Sequence, residues 1–232
     1  MITTNSSVSV RAAGLMFAAL TLILPDHDVW GQESVSEKDI LAAVNKLAPT
    51  VQEISQKLWD WSEVSLLELK SSAYLKDILK KNDFAITSDK AANVPTAFVA
   101  EYGKGKPIIG ILLEYDALPG LGNESVPEKQ PRKDGITAGH GCGHNLIGAG
   151  ALGAALAIKD LMEKKRIPGT LRVCGAAAEE SEGAKVFMAR EGVFDDLDAM
   201  LHWHPLDVAH VAKVRMAAAS HMYIEFKGKS AH

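Results

Sequence analysis

Apolar residues recur at helical spacing through Ile40, Val44, Leu47, Val51, Ile54 and Leu58, with polar residues filling the opposite side of each turn. Ser36, with Asp39 three residues later, makes a capping-box signature just before this run, so a helix is expected to open there, kinked by Pro49. A second helical pattern covers residues 66–79 and closes on Lys80, Lys81 and Asn82. Residues 97–102 and 108–113 are short apolar runs of strand length; the second follows Pro107 and is apolar on both faces, as a central strand of a covered sheet is. A small-residue helix pattern at 146–163, a buried strand at 170–176, a helix at 183–191 and a strand at 199–203 follow, and 211–227 reads as two strands in hairpin order. Strand and helix alternate, which predicts an α/β fold with a mostly parallel sheet sandwiched by helices.

The amino end departs from this pattern. Arg11 precedes an apolar run at 12–24 that Pro25 breaks, which fits a signal-peptide core and is too short to span a bilayer. Val29 and Gly31 offer a small-residue cleavage pattern before Gln32, so residues 1–31 are expected to be a signal peptide and the chain to be exported, periplasmic or secreted. A leader that stays attached, disordered or membrane-associated, is the alternative, and a cytoplasmic location follows if it is no signal peptide. No stable membrane span is expected elsewhere. An apolar share of 47% and a charged share of 23% are those of a soluble globular protein, and a net charge of −4 gives no electrostatic case for nucleic acid or an anionic membrane. The two cysteines, Cys142 and Cys174, make no disulfide framework; in an exported chain they could pair, but the surroundings of Cys142 suit a metal better.

Three clusters can carry chemistry, each at the end of an expected strand or in the loop after it, where open α/β sheets place their ligands. The polar loop at 117–139 leads into Gly139-His140-Gly141-Cys142-Gly143-His144-Asn145. Thiolate and imidazole two residues apart can chelate one metal or bridge two; a glycine-rich helix entry with a buried cysteine is the plainer alternative. The glycine spacing faintly suggests a dinucleotide loop, yet a long polar loop stands where that fingerprint needs a strand. Glu179-Glu180 follows the strand that begins at Thr170, so one carboxylate could hold a metal while the other serves as general base, or both could be a solvated loop. His202-Trp203-His204-Pro205 ends the next strand, where two histidines share a face and more often only one is a ligand.

These clusters resemble the metallopeptidase family that holds aminoacylases, glutamate-releasing carboxypeptidases and auxin-conjugate amidohydrolases. The likeness is carried, in the family's order, by Glu114-Tyr115-Asp116-Ala117-Leu118-Pro119, Gly139 to Asn145, Ala178-Glu179-Glu180, the VFMAREGVFDD segment at 186–196, and Trp203-His204-Pro205. The resemblance implies two divalent ions, zinc or manganese, held by Cys142, His144, Glu180 and His204, with Glu179 as general base and Asp116 as an orienting residue behind the metals. His202 stands where relatives usually have a small or hydroxyl residue and is left outside the ligand set. Asn145, in place of an aspartate common in the auxin-conjugate branch, favours the branch acting on aminobenzoyl-glutamate.

The implied activity is hydrolysis of the amide bond of small N-acyl amino acids such as p-aminobenzoyl-glutamate. The resemblance further divides the chain into a catalytic domain at 32–217 and, at 218–232, the start of a lid and dimerisation domain. In relatives this insertion opens on a Gly-x-x-Ala-His sequence, here Gly228 to His232, and its histidine reaches the substrate carbonyl in the partner subunit's site. A homodimer or a heteromeric partner subunit is therefore expected, with His232 catalytic. The rest of the lid, the return to the sheet and one late histidine ligand are expected beyond these residues. Two rivals are a catalytically incomplete fragment and a domain holding one structural zinc.

Overall fold

Ser36 closes the amino end of the first helix as its spacing to Asp39 predicts: the Asp39 N–H donates to Ser36 Oγ at 3.2 Å and the Ser36 N–H to the Asp39 carboxylate at 3.0 Å. The structure, a computed structural model, describes residues 34–207 together with Val211, Met222, residues 224–229 and His232. The expected signal peptide at 1–31 lies outside the described residues, as do most of the expected hairpin at 211–227 and much of the lid segment at 218–232; residues 224–229 are exposed and not in a strand.

Helix α1 (Glu37–Trp61) runs through Pro49 without ending, and α2 (Leu69–Lys81) starts three residues later than its apolar pattern predicts. The delay has a local cause. Leu66 takes a left-handed φ of 65°, and the Glu63 carboxylate accepts the free N–H groups of Lys70 (3.0 Å) and Ser71 (2.8 Å), fixing where the helix begins. The strands are β1 (Ala85–Ser88), β2 (Phe98–Lys104), β3 (Ile108–Leu113), β4 (Gly169–Gly175) and β5 (Ala199–Leu201), with α3 (His144–Lys165) between β3 and β4 and α4 (Ala184–Arg190) between β4 and β5. Strand β1, with four residues of weak alternation, has no counterpart in the apolar pattern, and β5 ends two residues short of the expected Trp203.

The helix-flanked α/β architecture is present, but the sheet is mixed rather than mostly parallel. Its order is β1-β2-β4-β3-β5; β4, β3 and β5 run parallel, whereas β1 and β2, and β2 and β4, pair antiparallel. The reason is connection length. Residues 105–107, between β2 and β3, are far too few for a parallel crossover, so β2 must run opposite to β3 even though β4 inserts between them.

Helix α3 packs against both α1 and β3. It is long and apolar enough to cross a membrane by length and composition, yet 67% of its most apolar stretch is buried in the fold, which makes it the core helix. Fully buried Leu152 of α3 joins Ile54 and Leu58 of α1 and Leu113 of β3 in one apolar cluster, each side chain worth about 1.5–3 kcal/mol. Close approach is needed at Gly148, where a Cβ would lie 2.8 Å from the Glu114 carbonyl oxygen and 3.2 Å from Leu58. Gly148→Val is therefore expected to lower stability by about 1–3 kcal/mol in chemical denaturation, by forcing α3 off the end of β3.

Candidate metal centre and active site

Because β3, β4 and β5 are parallel, their carboxyl ends fall along one edge of the sheet. Strand β3 runs directly into Glu114-Tyr115-Asp116, β4 into the 176–180 turn, and β5 into His202-Trp203-His204. Gly143, at a φ of 81° that a side chain would resist, turns the long loop into α3 and delivers Cys142 and His144 to the same edge.

His144 is fully buried at the centre. Its Nδ1 lies 2.9 Å from Asp116 Oδ1 and 3.0 Å from the Asp116 carbonyl oxygen, so in the neutral imidazole Nδ1 carries the proton and Nε2 keeps its lone pair. Nε2 lies 3.5 Å from Glu114 Oε2, 3.7 Å from Glu179 Oε2 and 3.8 Å from Glu180 Oε1. Across from it, Cys142 Sγ lies 3.2 Å from His204 Nε2, and the rings of His144 and His204 meet edge-on with centroids 6.4 Å apart. Two groupings result, Cys142 with His144 and His204, and His144 with Glu179 and Glu180, each with its ligand-capable atoms within 4.8 Å of one another.

Asp116 is the hub behind them. Its Oδ2 accepts from Ser65 Oγ at 2.9 Å and from the Glu180 N–H at 3.0 Å. Burial works to raise its carboxyl, but the bonds from His144, Glu180 and Ser65 prevail and hold it below the usual range. Burial likewise opposes a charged His144, and the Asp116 bond and the charges of Asp116, Glu114 and Glu180 outweigh it and raise the imidazole. Burial, followed by the charges of Glu180 and Glu179, pushes the Cys142 thiol up to about 11. Burial also raises Glu180, reinforced by Asp116 and Glu179 and opposed by His144.

Among the described residues, the buried side-chain atoms without a hydrogen-bond partner are Ser72 Oγ, Glu114 Oε2, His140 Nδ1, His144 Nε2 and Glu180 Oε1. His144 Nε2 faces both the Glu114 and the Glu180 oxygen. Buried acceptors crowded together without a donor are costly, whereas a divalent cation would satisfy them together. Thiolate, imidazole and carboxylate are a donor set that suits zinc. The residues present therefore fit a metal.

Cys142, His144, Glu179, Glu180, His204 and Asp116 are all brought together. His232 is not: it is exposed and belongs to neither grouping. His202 also stands outside both, its Nε2 turned toward Glu114 Oε1 at 3.7 Å. Asn145 donates its amide to Ser55 Oγ on α1 at 3.0 Å and takes no part in either grouping. Both cysteines are free, Cys174 being buried in β4. Two residues of the cluster carry no role in the sequence reading. Glu114 supplies a buried carboxylate, and Lys185 on α4 pairs with Glu114 Oε1 and lies 3.8 Å from Glu179 Oε1. An acidic residue directly after an apolar strand was the available signal for Glu114; a lysine on a short helix offers none.

The family model for Peptidase family M20/M25/M40 matches residues 111–218, a span that takes in every member of the cluster. The chain belongs to this family. It is 41% identical over 180 residues to a subunit of the p-aminobenzoyl-glutamate hydrolase of Escherichia coli K12, covering 78% of this chain and 37% of that one. To the N-acetyl-L-cysteine deacetylase of Bacillus subtilis it is 29% identical over 185 residues, 77% of this chain and 43% of the other. A solved Bacillus subtilis protein described as a dinuclear metal-binding peptidase of the M20 family shares the fold, with a TM-score of 0.55 at 23% identity over 71% of this chain and 43% of its own. The chain thus spans less than half the length of these M20/M25/M40 relatives.

If Asp116 orients His144 toward a metal, Asp116→Asn weakens zinc binding about 10–100-fold, measured by competition with a chromophoric chelator.

Proposed function

We propose that this chain carries the catalytic centre of a metal-dependent amidohydrolase that cleaves the amide bond of N-acyl amino acids, with p-aminobenzoyl-glutamate as the substrate. The reading is carried by the convergence of the unpartnered Glu114, His144 and Glu180 atoms beside Glu179, a more exposed carboxylate. Cys142, His144, Glu180 and His204 would hold two divalent ions, zinc or manganese, with His144 common to both groupings. Such ions supply Lewis-acid polarisation of an amide carbonyl and a lowered pKa for water.

The chain's own residues supply the rest. Glu179, reached by solvent and held at one oxygen by Lys185, takes the proton of the attacking water and returns it to the leaving amine nitrogen. Glu180 cannot exchange roles with it, because its backbone N–H is tied to Asp116 and its Oε1 is buried. The 41% identity to one component of a p-aminobenzoyl-glutamate hydrolase supports the aminobenzoyl-glutamate substrate. That relative's description as a subunit supports a partner, in whose site His232 would act, and the apolar run at 12–24 supports export.

Glu179→Gln should reduce release of p-aminobenzoate by about 10²–10⁴-fold while leaving metal content unchanged. Wild-type turnover in that variant with metal bound would remove Glu179 as the base.

A further inference from the structure

Ala178, the residue before the Glu179-Glu180 pair, has a φ of 53°. A non-glycine side chain resists this left-handed conformation, so something must hold it there. Its carbonyl accepts from the Gly183 N–H at 2.6 Å and the Ser181 N–H at 3.4 Å, which folds the loop back on itself. Its N–H donates to Glu68 Oε1 at 2.7 Å, across 110 residues of sequence. Glu68 stands at the amino end of α2 and is fully buried. Thr96 Oγ1 donates to its other oxygen at 2.7 Å, and the Thr96 carbonyl accepts from the Tyr115 hydroxyl at 2.6 Å. Tyr115 lies between Glu114 and Asp116 in sequence and stacks on Phe98, so one buried chain of bonds ties the loop after β3 to the loop after β4.

We infer that Glu68 is a positioning residue: its carboxylate clamps Ala178 in the left-handed region and thereby aims Glu179 and Glu180 at His144. A buried acid is an expensive way to fill apolar space, and methionine would pack there more cheaply. What methionine lacks is an acceptor for the Ala178 N–H. Without it the backbone at 178 relaxes toward negative φ, and both following side chains leave their present bearings, 3.7 and 3.8 Å from His144 Nε2. The inference rests on the amidohydrolase reading only where turnover is the measure.

The test compares Glu68→Met and Glu68→Gln in the native chain and in an Ala178→Gly background, with amide hydrogen exchange, zinc affinity and p-aminobenzoyl-glutamate kinetics as readouts. Glu68→Met is expected to speed exchange at the Ala178 amide about tenfold relative to the amides of α3, to weaken zinc about tenfold, and to lower kcat about tenfold at unchanged KM. Glu68→Gln, whose amide oxygen still accepts, stays within about threefold of the native chain on all three. Glycine adopts the left-handed conformation without strain, so the losses from Glu68→Met shrink in the Ala178→Gly background. If Glu68→Met does not fold, Thr96→Val, which removes only the hydroxyl that steadies the carboxylate, gives smaller losses in the same direction. Unchanged exchange at Ala178, or equal losses in both backgrounds, would overturn the clamp. A native chain that binds zinc but hydrolyses nothing would refute the amidohydrolase reading alone, since exchange and zinc affinity still judge Glu68.

Discussion

One imidazole organises the edge of this sheet, and its two nitrogens have opposite tasks. Nδ1 of His144 is spoken for by Asp116 at 2.9 Å, which fixes the tautomer and the ring plane. Nε2 is thereby turned, with no donor opposite, into a group of buried carboxylates. Asp116 also accepts from Ser65 and from the Glu180 backbone, so the same carboxylate that sets the histidine sets one of the acids facing it. Remove that contact and the three strand-end loops lose their common reference point.

The fold meets the cost of this arrangement with rigid neighbours. Glu114, Asp116 and Glu68 are all buried acids, and burial of an ionised carboxylate is tolerable only with bonds or cations close by. Lys185 answers part of Glu114, and Thr96 with the Ala178 N–H answers Glu68. Glu180 Oε1 and Glu114 Oε2 stay unanswered by protein. That remainder is what a divalent cation would take, and it separates a metal centre from an ordinary buried ion-pair network. Helix α3 contributes in a different way: glycine at 148 lets it sit against the Glu114 carbonyl, so the helix that delivers His144 also braces the end of β3.

Much of this is legible in the sequence because the ligand types are chemically rare and sit next to strong strand signals. Cys142 and His144 two apart, the adjacent glutamates after a buried strand, and the histidines after the next strand can be read without coordinates. The helices follow from their 3.6-residue periodicity, with α2 delayed by the Glu63 side chain, a cap from outside the helix that periodicity does not report. Strand direction is less visible. Parallel pairing of β3, β4 and β5 follows from the intervening helices, but the antiparallel β2 shows only when the three-residue connection at 105–107 is taken seriously. Glu68 and Lys185 are invisible for the same reason: an acid or a lysine on a helix is common, and only tertiary packing gives either a partner. Asn145 donates to Ser55 on α1 and takes no part in either ligand grouping.

Membership of the M20/M25/M40 family sets the cluster beside hydrolase relatives whose named substrates differ. If the proposed chemistry holds, the unpartnered atoms at the sheet edge are metal ligands. Anomalous diffraction at the zinc edge, on crystals of the metal-stripped protein soaked in zinc, tests it most directly. Zinc is expected about 2.0–2.1 Å from His144 Nε2, within reach of Cys142, His204 and Glu180. Zinc bound only elsewhere on the surface, with His144 Nε2 still unliganded, would contradict it.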